Sequence, residues 1–164
     1  MLPLDDELWS TLEPPHWRRG DLVSSLREWL RSVGGPDEME KFDDFGDIVM
    51  RDGETYIGAY ALVPYMVDVC RRGRTPFVVD YLTIVGMIEL NRLSRELGTP
   101  GVPEALLGDY LQAVRDASDL VTPAIRAADE PLRTWGLRSV RPVFRGDWEL
   151  AMKYWNLEIP PAQE

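Results

Sequence analysis

Two apolar stretches in the middle of the chain decide the fold: residues 56–72 read YIGAYALVPYMVDVCRR, and residues 75–97 read TPFVVDYLTIVGMIELNRLSREL. Thr75-Pro76 opens the second stretch as a helix, because proline fits a first turn whose N–H groups have no helical partner. Gly98 then ends it. Its polar residues share one narrow stripe, so the rest of the circumference is apolar and the stretch is predicted to be the central core helix. These polar residues are Asp80, Thr83, Asn91 and Ser94.

Helical spacing of apolar residues continues on both sides of this centre. A stripe of apolar residues at steps of three and four follows Asp21, whose side chain is a favourable helix cap. A later segment opens at Pro103 and keeps the same spacing, with Pro123 as a predicted kink. The helices predicted outside the centre cover residues 5–12, 21–33, 103–128, 131–140 and 147–155. The predicted fold class is all-α, a compact antiparallel helical array formed by residues 1–164 as a single domain.

Residues 48–57 allow two interpretations. Ile48-Val49-Met50 and Thr55-Tyr56-Ile57 flank the turn residues Asp52-Gly53, a pattern typical of a small β-hairpin. Helix is the alternative, and the pattern alone does not choose between helix and strand.

Charge narrows the classes of partner. The chain has 164 residues with 28 acids against 18 bases, a formal net charge of -10. Fourteen of the acids and six of the bases lie in residues 1–54. A broad basic surface for nucleic acid is therefore not expected, and a basic protein partner is favoured.

The setting is predicted from what the sequence lacks. Cys70 is the only cysteine, so no intrachain disulfide forms, and it is predicted to be a small buried apolar residue. The first residues lack the basic and apolar regions of a secretory signal. The longest apolar stretch, residues 77–90, is shorter than the roughly 20 residues that cross a bilayer. We expect a cytoplasmic protein with no membrane contact.

No catalytic motif stands out, so no catalytic residue, metal ligand or cofactor is predicted. His16, the only imidazole, lies between Pro15 and Trp17 and is interpreted as a loop residue. Pairs of acids three residues apart are no more frequent than random placement of 28 acids would give. A metal-dependent all-α phosphohydrolase is kept as the alternative function. Its candidate ligands are Glu40, Asp43, Asp116 and Asp119.

The acidic residues of segment 37–54 form the candidate binding site. Met39, Phe42 and Phe45 are interleaved with the acids, so the segment is interpreted either as a solvated face or as a docking surface for a basic partner. The predicted partner-binding residues are Glu40, Phe42, Asp43, Asp44, Phe45 and Asp47.

Residues 53–72 carry a family resemblance. Small residues at 58, 59 and 61, followed by Val63-Pro64-Tyr65-Met66-Val67, resemble the repeat helices of HEAT-like α-solenoids. Together with the Leu8-Trp9 segment and the helix over 77–97, the arrangement is similar to bacterial HEAT-like proteins that are immunity partners of polymorphic toxins. The resemblance implies a non-enzymatic protein that covers the active surface of a cognate toxin.

A third interpretation concerns the C-terminal tryptophans. A helical oligomerisation module would use them as its interface, although such residues also close hydrophobic cores. They are Trp135, Trp148 and Trp155. The sequence leaves the oligomeric state open.

Overall fold

A computed structural model describes residues 1–12, 22–51, 54–94, 99–128 and 131–156, with the side chains of 45–51, 54 and 131–133 outside that description. The described chain is helical almost throughout, so the predicted all-α class is confirmed. The helices are α1 (Trp9–Leu12), α2 (Leu22–Ser32), α3 (Glu38–Val49), α4 (Ile57–Arg72), α5 (Val78–Ser94), α6 (Glu104–Ala127), α7 (Pro131–Val140) and α8 (Trp148–Trp155). A 3₁₀-helix over Arg141–Arg145 joins α7 to α8. Among the described residues, no helix is both long and apolar enough to span a membrane.

The stretch with two interpretations contains both structures. Helix α3 runs to Val49, and two short antiparallel strands follow, β1 (Met50–Arg51) and β2 (Glu54–Thr55). Thr55 is buried, and its hydroxyl accepts a hydrogen bond of 2.9 Å from the side-chain amide of Asn91 on α5. The strand pair is therefore shorter than the predicted hairpin, whose first residues are helical, and its second strand is tied to the core.

The centre of the fold is shared by two helices. α5 is buried along most of its length, as predicted, but α4 is buried on almost every side. α4 packs on both α5 and α6, and its small residues Gly58, Ala59 and Ala61 are all buried. Gly73 ends α4 in a left-handed conformation with φ of 63°. The predicted end of α5 at Gly98 lies outside the described residues.

Two glycines allow close contact between α5 and α7. A Cβ atom placed on Gly86 would lie 2.4 Å from Cγ2 of Val140. One placed on Gly136 would lie 3.0 Å from Cγ2 of Thr83. The backbones of α5 and α7 therefore come close together at Gly86 and Gly136, because glycine has no side chain to keep them apart.

The N-terminal segment lies against the helices that follow it. Tyr65 of α4 donates a hydrogen bond to the carbonyl of Leu2, and Arg27 of α2 donates to that of Leu4 at 3.2 Å. α1 is shorter than the predicted helix over residues 5–12. It begins only after Asp6, whose carboxylate accepts the backbone N–H of Leu8 at 2.9 Å.

Candidate functional site

The turn between α2 and α3 sets where the acidic segment begins. Gly34 has φ of 82°, and a Cβ on it would lie 2.8 Å from the carbonyl oxygen of Arg74. Only glycine combines that backbone conformation with so close a contact. The turn therefore packs against the loop that follows α4.

Glu38, the first residue of α3, is fully buried. One carboxylate oxygen accepts the backbone N–H of Gly34 at 2.7 Å, and the other accepts the hydroxyl of Tyr81 at 2.8 Å. The Tyr81 oxygen in turn accepts the indole N–H of Trp29 at 2.9 Å. Burial raises the pKa of Tyr81 far above its usual value, so the phenol stays neutral and donates. This network joins α2, α3 and α5.

Phe42 lies one turn after Glu38 and also faces inward. It is 3% exposed, and its ring centroid is 4.8 Å from that of Tyr81 and 5.6 Å from that of Trp29. The prediction that Phe42 contacts a partner is therefore corrected: the residue belongs to the core. Its i, i+4 spacing from Glu38 places both residues on the same side of α3.

The opposite side of α3 carries the other acids. At about 100° per residue, Glu40, Asp43 and Asp44 fall within an arc of roughly 100° that faces away from Glu38. Glu40 and Asp43 are exposed, and Asp44 is half-exposed. Asp37, immediately before the helix, is exposed as well. We call these four residues, Asp37, Glu40, Asp43 and Asp44, the acidic face.

Lys41 is the base within this surface. Its ammonium lies 3.9 Å from a carboxylate oxygen of Glu40 and 3.8 Å from one of Asp44. Ion pairs this long and this exposed contribute little to stability. The acidic face therefore keeps a net negative charge. Phe45 and Asp47 lie on the backbone of α3, but their side chains are outside the described part of the protein.

A second polar network, which sequence reasoning missed, joins α5 to α6. Buried Glu89 accepts two hydrogen bonds from Arg92, at 2.6 and 2.7 Å, and one from the hydroxyl of Tyr110 at 2.7 Å. Burial raises the pKa of Tyr110 well above its usual range. The sequence signal for this network was the acid Glu89 followed three residues later by the base Arg92. Because Glu89, Arg92 and Tyr110 hydrogen-bond to one another, we interpret the network as one that holds α5 and α6 together.

Tyr60 extends this region of buried hydroxyls. Its ring packs edge-to-face against that of Tyr110, with ring centroids 5.0 Å apart. Its hydroxyl donates a hydrogen bond of 2.7 Å to the carbonyl of Pro100. Burial raises the pKa of Tyr60 to about 12. The contact fixes the segment that leads into α6.

The candidate metal ligands are not brought together within the described residues, where no three His, Cys, Asp or Glu side chains are placed to hold one ion. Asp116 instead forms an ion pair with Arg71 and accepts a hydrogen bond of 2.9 Å from Gln112. The bond from Gln112, with help from Arg71, lowers the pKa of Asp116. Asp119 is exposed.

The remaining candidate residues that the structure describes, Cys70 and the three C-terminal tryptophans, pack against other side chains of the fold. Cys70 is buried, as predicted, and burial raises the pKa of its thiol to about 12. Trp135 and Trp155 stack with ring centroids 5.5 Å apart, and Trp148, the first residue of α8, packs against a small second cluster of buried residues. His16 lies outside the described residues.

Comparisons of the chain with protein-family models, with curated proteins and with solved structures found no match in any of the three.

Proposed function

We propose that the protein is a non-enzymatic helical binding protein that recognises a basic protein through the acidic face of α3. The observation that carries the proposal is the division of α3 into two sides. Glu38 and Phe42 are buried in the core. Glu40, Asp43 and Asp44 lie on the other side of the helix, where Glu40 and Asp43 are exposed and Asp44 is half-exposed. A partner can therefore reach the carboxylates of Glu40 and Asp43 directly.

Charge matching gives such a surface a kinetic advantage. Complementary potentials raise association rate constants from roughly 10⁵–10⁶ M⁻¹s⁻¹ towards about 10⁸ M⁻¹s⁻¹ at low salt. The effect weakens as salt increases, because the screening length falls from about 30 Å at 0.01 M to about 8 Å at 0.15 M ionic strength. Salt dependence is therefore the signature of this mode of recognition.

We further propose that the partner is a toxin domain and that the protein acts as its immunity partner. A toxin that cleaves nucleic acid needs a basic cleft for its phosphate substrate, and a row of carboxylates can occupy such a cleft in place of phosphates. The resemblance to HEAT-like immunity proteins, drawn from residues 53–72 together with the Leu8-Trp9 segment and the helix over 77–97, supports this choice. Phe45 and Asp47, on the last turns of α3, are the other residues predicted to contact the partner.

The test removes charge from the acidic face without changing side-chain size. The variant carries Glu40→Gln, Asp43→Asn and Asp44→Asn, and a fluorescent deca-arginine peptide serves as the basic probe. The matched control removes three exposed charges elsewhere. Its substitutions are Glu7→Gln, Asp119→Asn and Glu149→Gln. Association rates are measured by stopped flow at about 20 mM and about 300 mM salt, a range over which screening changes strongly.

We expect the acidic-face variant to associate more slowly than the control at low salt and to lose most of the salt dependence. Equal rates for the two variants would show that only net charge matters, and the proposal would then be abandoned. Capture of a basic toxin domain by the wild-type protein, but not by the acidic-face variant, would support the immunity role.

The metal-hydrolase alternative makes a different prediction. Under the binding proposal, Mg²⁺ or Mn²⁺ leaves the melting temperature unchanged. A rise in melting temperature together with phosphate release from nucleotides would favour hydrolysis instead.

A further inference from the structure

We infer that Glu38 is the positioning residue of the acidic face: its buried carboxylate fixes the rotation of α3, so that the other acids point outward together. The inference rests on the proposed function, because it explains how the binding surface is oriented. Glu38 itself makes no contact with a partner, since it is fully buried.

The two hydrogen bonds of Glu38 come from different parts of the fold. Gly34 belongs to the turn that precedes α3, whereas Tyr81 belongs to α5 in the core. The bond to Gly34 sets where the helix begins, and the bond to Tyr81 sets which side of the helix faces the core. A rotation of α3 by one residue, about 100°, would break the second bond and turn the acids sideways.

The carboxylate at position 38 accepts a hydrogen bond on each of its two oxygens, one from the Gly34 N–H and one from the Tyr81 hydroxyl. A glutamine of the same shape offers one acceptor and one NH₂ group. With its oxygen bonded to Gly34, its NH₂ meets the Tyr81 oxygen and can only donate to it, so the Tyr81 proton loses Glu38 as its acceptor. The change from Glu38 to Gln therefore removes the acceptor of a buried donor, which is costly inside the core.

The same chemical change at position 40 is the matched control. Glu38→Gln and Glu40→Gln each remove one negative charge from α3. If charge alone matters, the buried position should have the smaller effect, because the probe comes closer to exposed Glu40 than to Glu38. If Glu38 orients the acidic face, the buried position should have the larger effect.

The experiment measures association of deca-arginine with the full chain as a function of salt, corrected for the folded fraction. Fold retention is followed by helical circular dichroism and by hydrogen exchange of α5 and α6. We expect Glu40→Gln to reduce the low-salt rate modestly. Glu38→Gln should reduce it further, flatten the salt dependence and increase hydrogen exchange in α3. A purely structural role would lower the folded fraction but would not change the salt dependence per folded molecule.

Tyr81→Phe is the second variant, in case Glu38→Gln does not fold. It keeps every charge and removes the hydroxyl that donates to Glu38 and accepts from Trp29, so a flattened salt dependence would again support the positioning role. Suppose that the acidic-face triple variant associates slowly, but that Glu38→Gln and Tyr81→Phe, where they fold, keep the salt dependence of the wild type. This result would overturn the inference about Glu38 and leave the proposed function standing. If the triple variant behaves like its control, the proposed function fails and the inference fails with it.

Discussion

Replacing Gly86 with alanine tests the close contact between α5 and α7. The new methyl carbon would lie 2.4 Å from Cγ2 and 2.8 Å from Cβ of Val140, and 3.3 Å from a ring carbon of Phe144. Carbon atoms at ordinary contact are about 3.5–4.0 Å apart, so the shortest of these contacts is more than about 1 Å too close. Val140 is β-branched and has little rotational freedom within a helix. The two helices must therefore move apart.

The expected cost follows from two opposing contributions. Overpacking of a core costs about 1–3 kcal/mol, whereas replacing glycine by alanine inside a helix gains up to about 1 kcal/mol. The net effect should be a loss of about 1–2 kcal/mol in the free energy of unfolding. For a chain of this length, that loss lowers the melting temperature by about 2–8 °C.

Urea unfolding followed by circular dichroism measures the change, and Gly108→Ala is the control. Gly108 lies on the exposed side of α6, where an added Cβ would meet nothing within 4 Å. The same substitution there should stabilise the protein by up to about 1 kcal/mol. Combining Gly86→Ala with Val140→Ala should cost less than the sum of the single changes, because the second change removes the nearest methyl. Stabilisation by Gly86→Ala, or strict additivity with Val140→Ala, would refute the close-contact argument.

Three further predictions concern buried polar groups. Tyr81→Phe removes a hydrogen-bond partner from both Glu38 and Trp29, so urea unfolding should show a loss of about 2–4 kcal/mol; a loss below about 0.5 kcal/mol would contradict the network. The pKa of Tyr60 is about 12 in the fold against 10 for a free phenol, so its stabilising contribution is complete below pH 10 and is lost as the pH rises towards 12. Tyr60→Phe should weaken that alkaline loss, measured by urea unfolding at several pH values; an unchanged pH dependence would count against it. Cys70, with a raised pKa of about 12, should react with a thiol reagent at neutral pH only after urea unfolds the chain, and rapid reaction in the native protein would contradict its burial.

Local sequence signals predicted helix boundaries well where the residues that set a boundary lie within or next to that helix. α7 covers residues 131–140, as predicted, and α6 and α8 each begin one residue after their predicted starts at Pro103 and Asp147. Proline at the start, acidic caps and apolar residues at steps of three and four act within one turn or a few turns of helix. Over residues 48–57 the local turn signals left both helix and hairpin open, and the structure has helix to Val49 followed by the short strand pair.

The acidic segment shows where such signals stop. Phe42 and its neighbouring acids have a helical spacing that fits a docking surface and a core face equally well. Pairing of Phe42 with Trp29 and Tyr81 depends on residues distant in the chain. Sequence reasoning therefore placed Phe42 on the wrong side of its helix.

The sequence by itself determined the all-α class, most helix boundaries and the concentration of negative charge in the first third of the chain, because propensity, capping and charge are properties of short segments. Only the tertiary structure decided which acids face solvent and which one is buried. It also decided that Gly86 meets Val140 and that Glu89 meets Tyr110. These contacts join residues from different helices, and their partners are selected by how the helices pack rather than by any pattern within one of them.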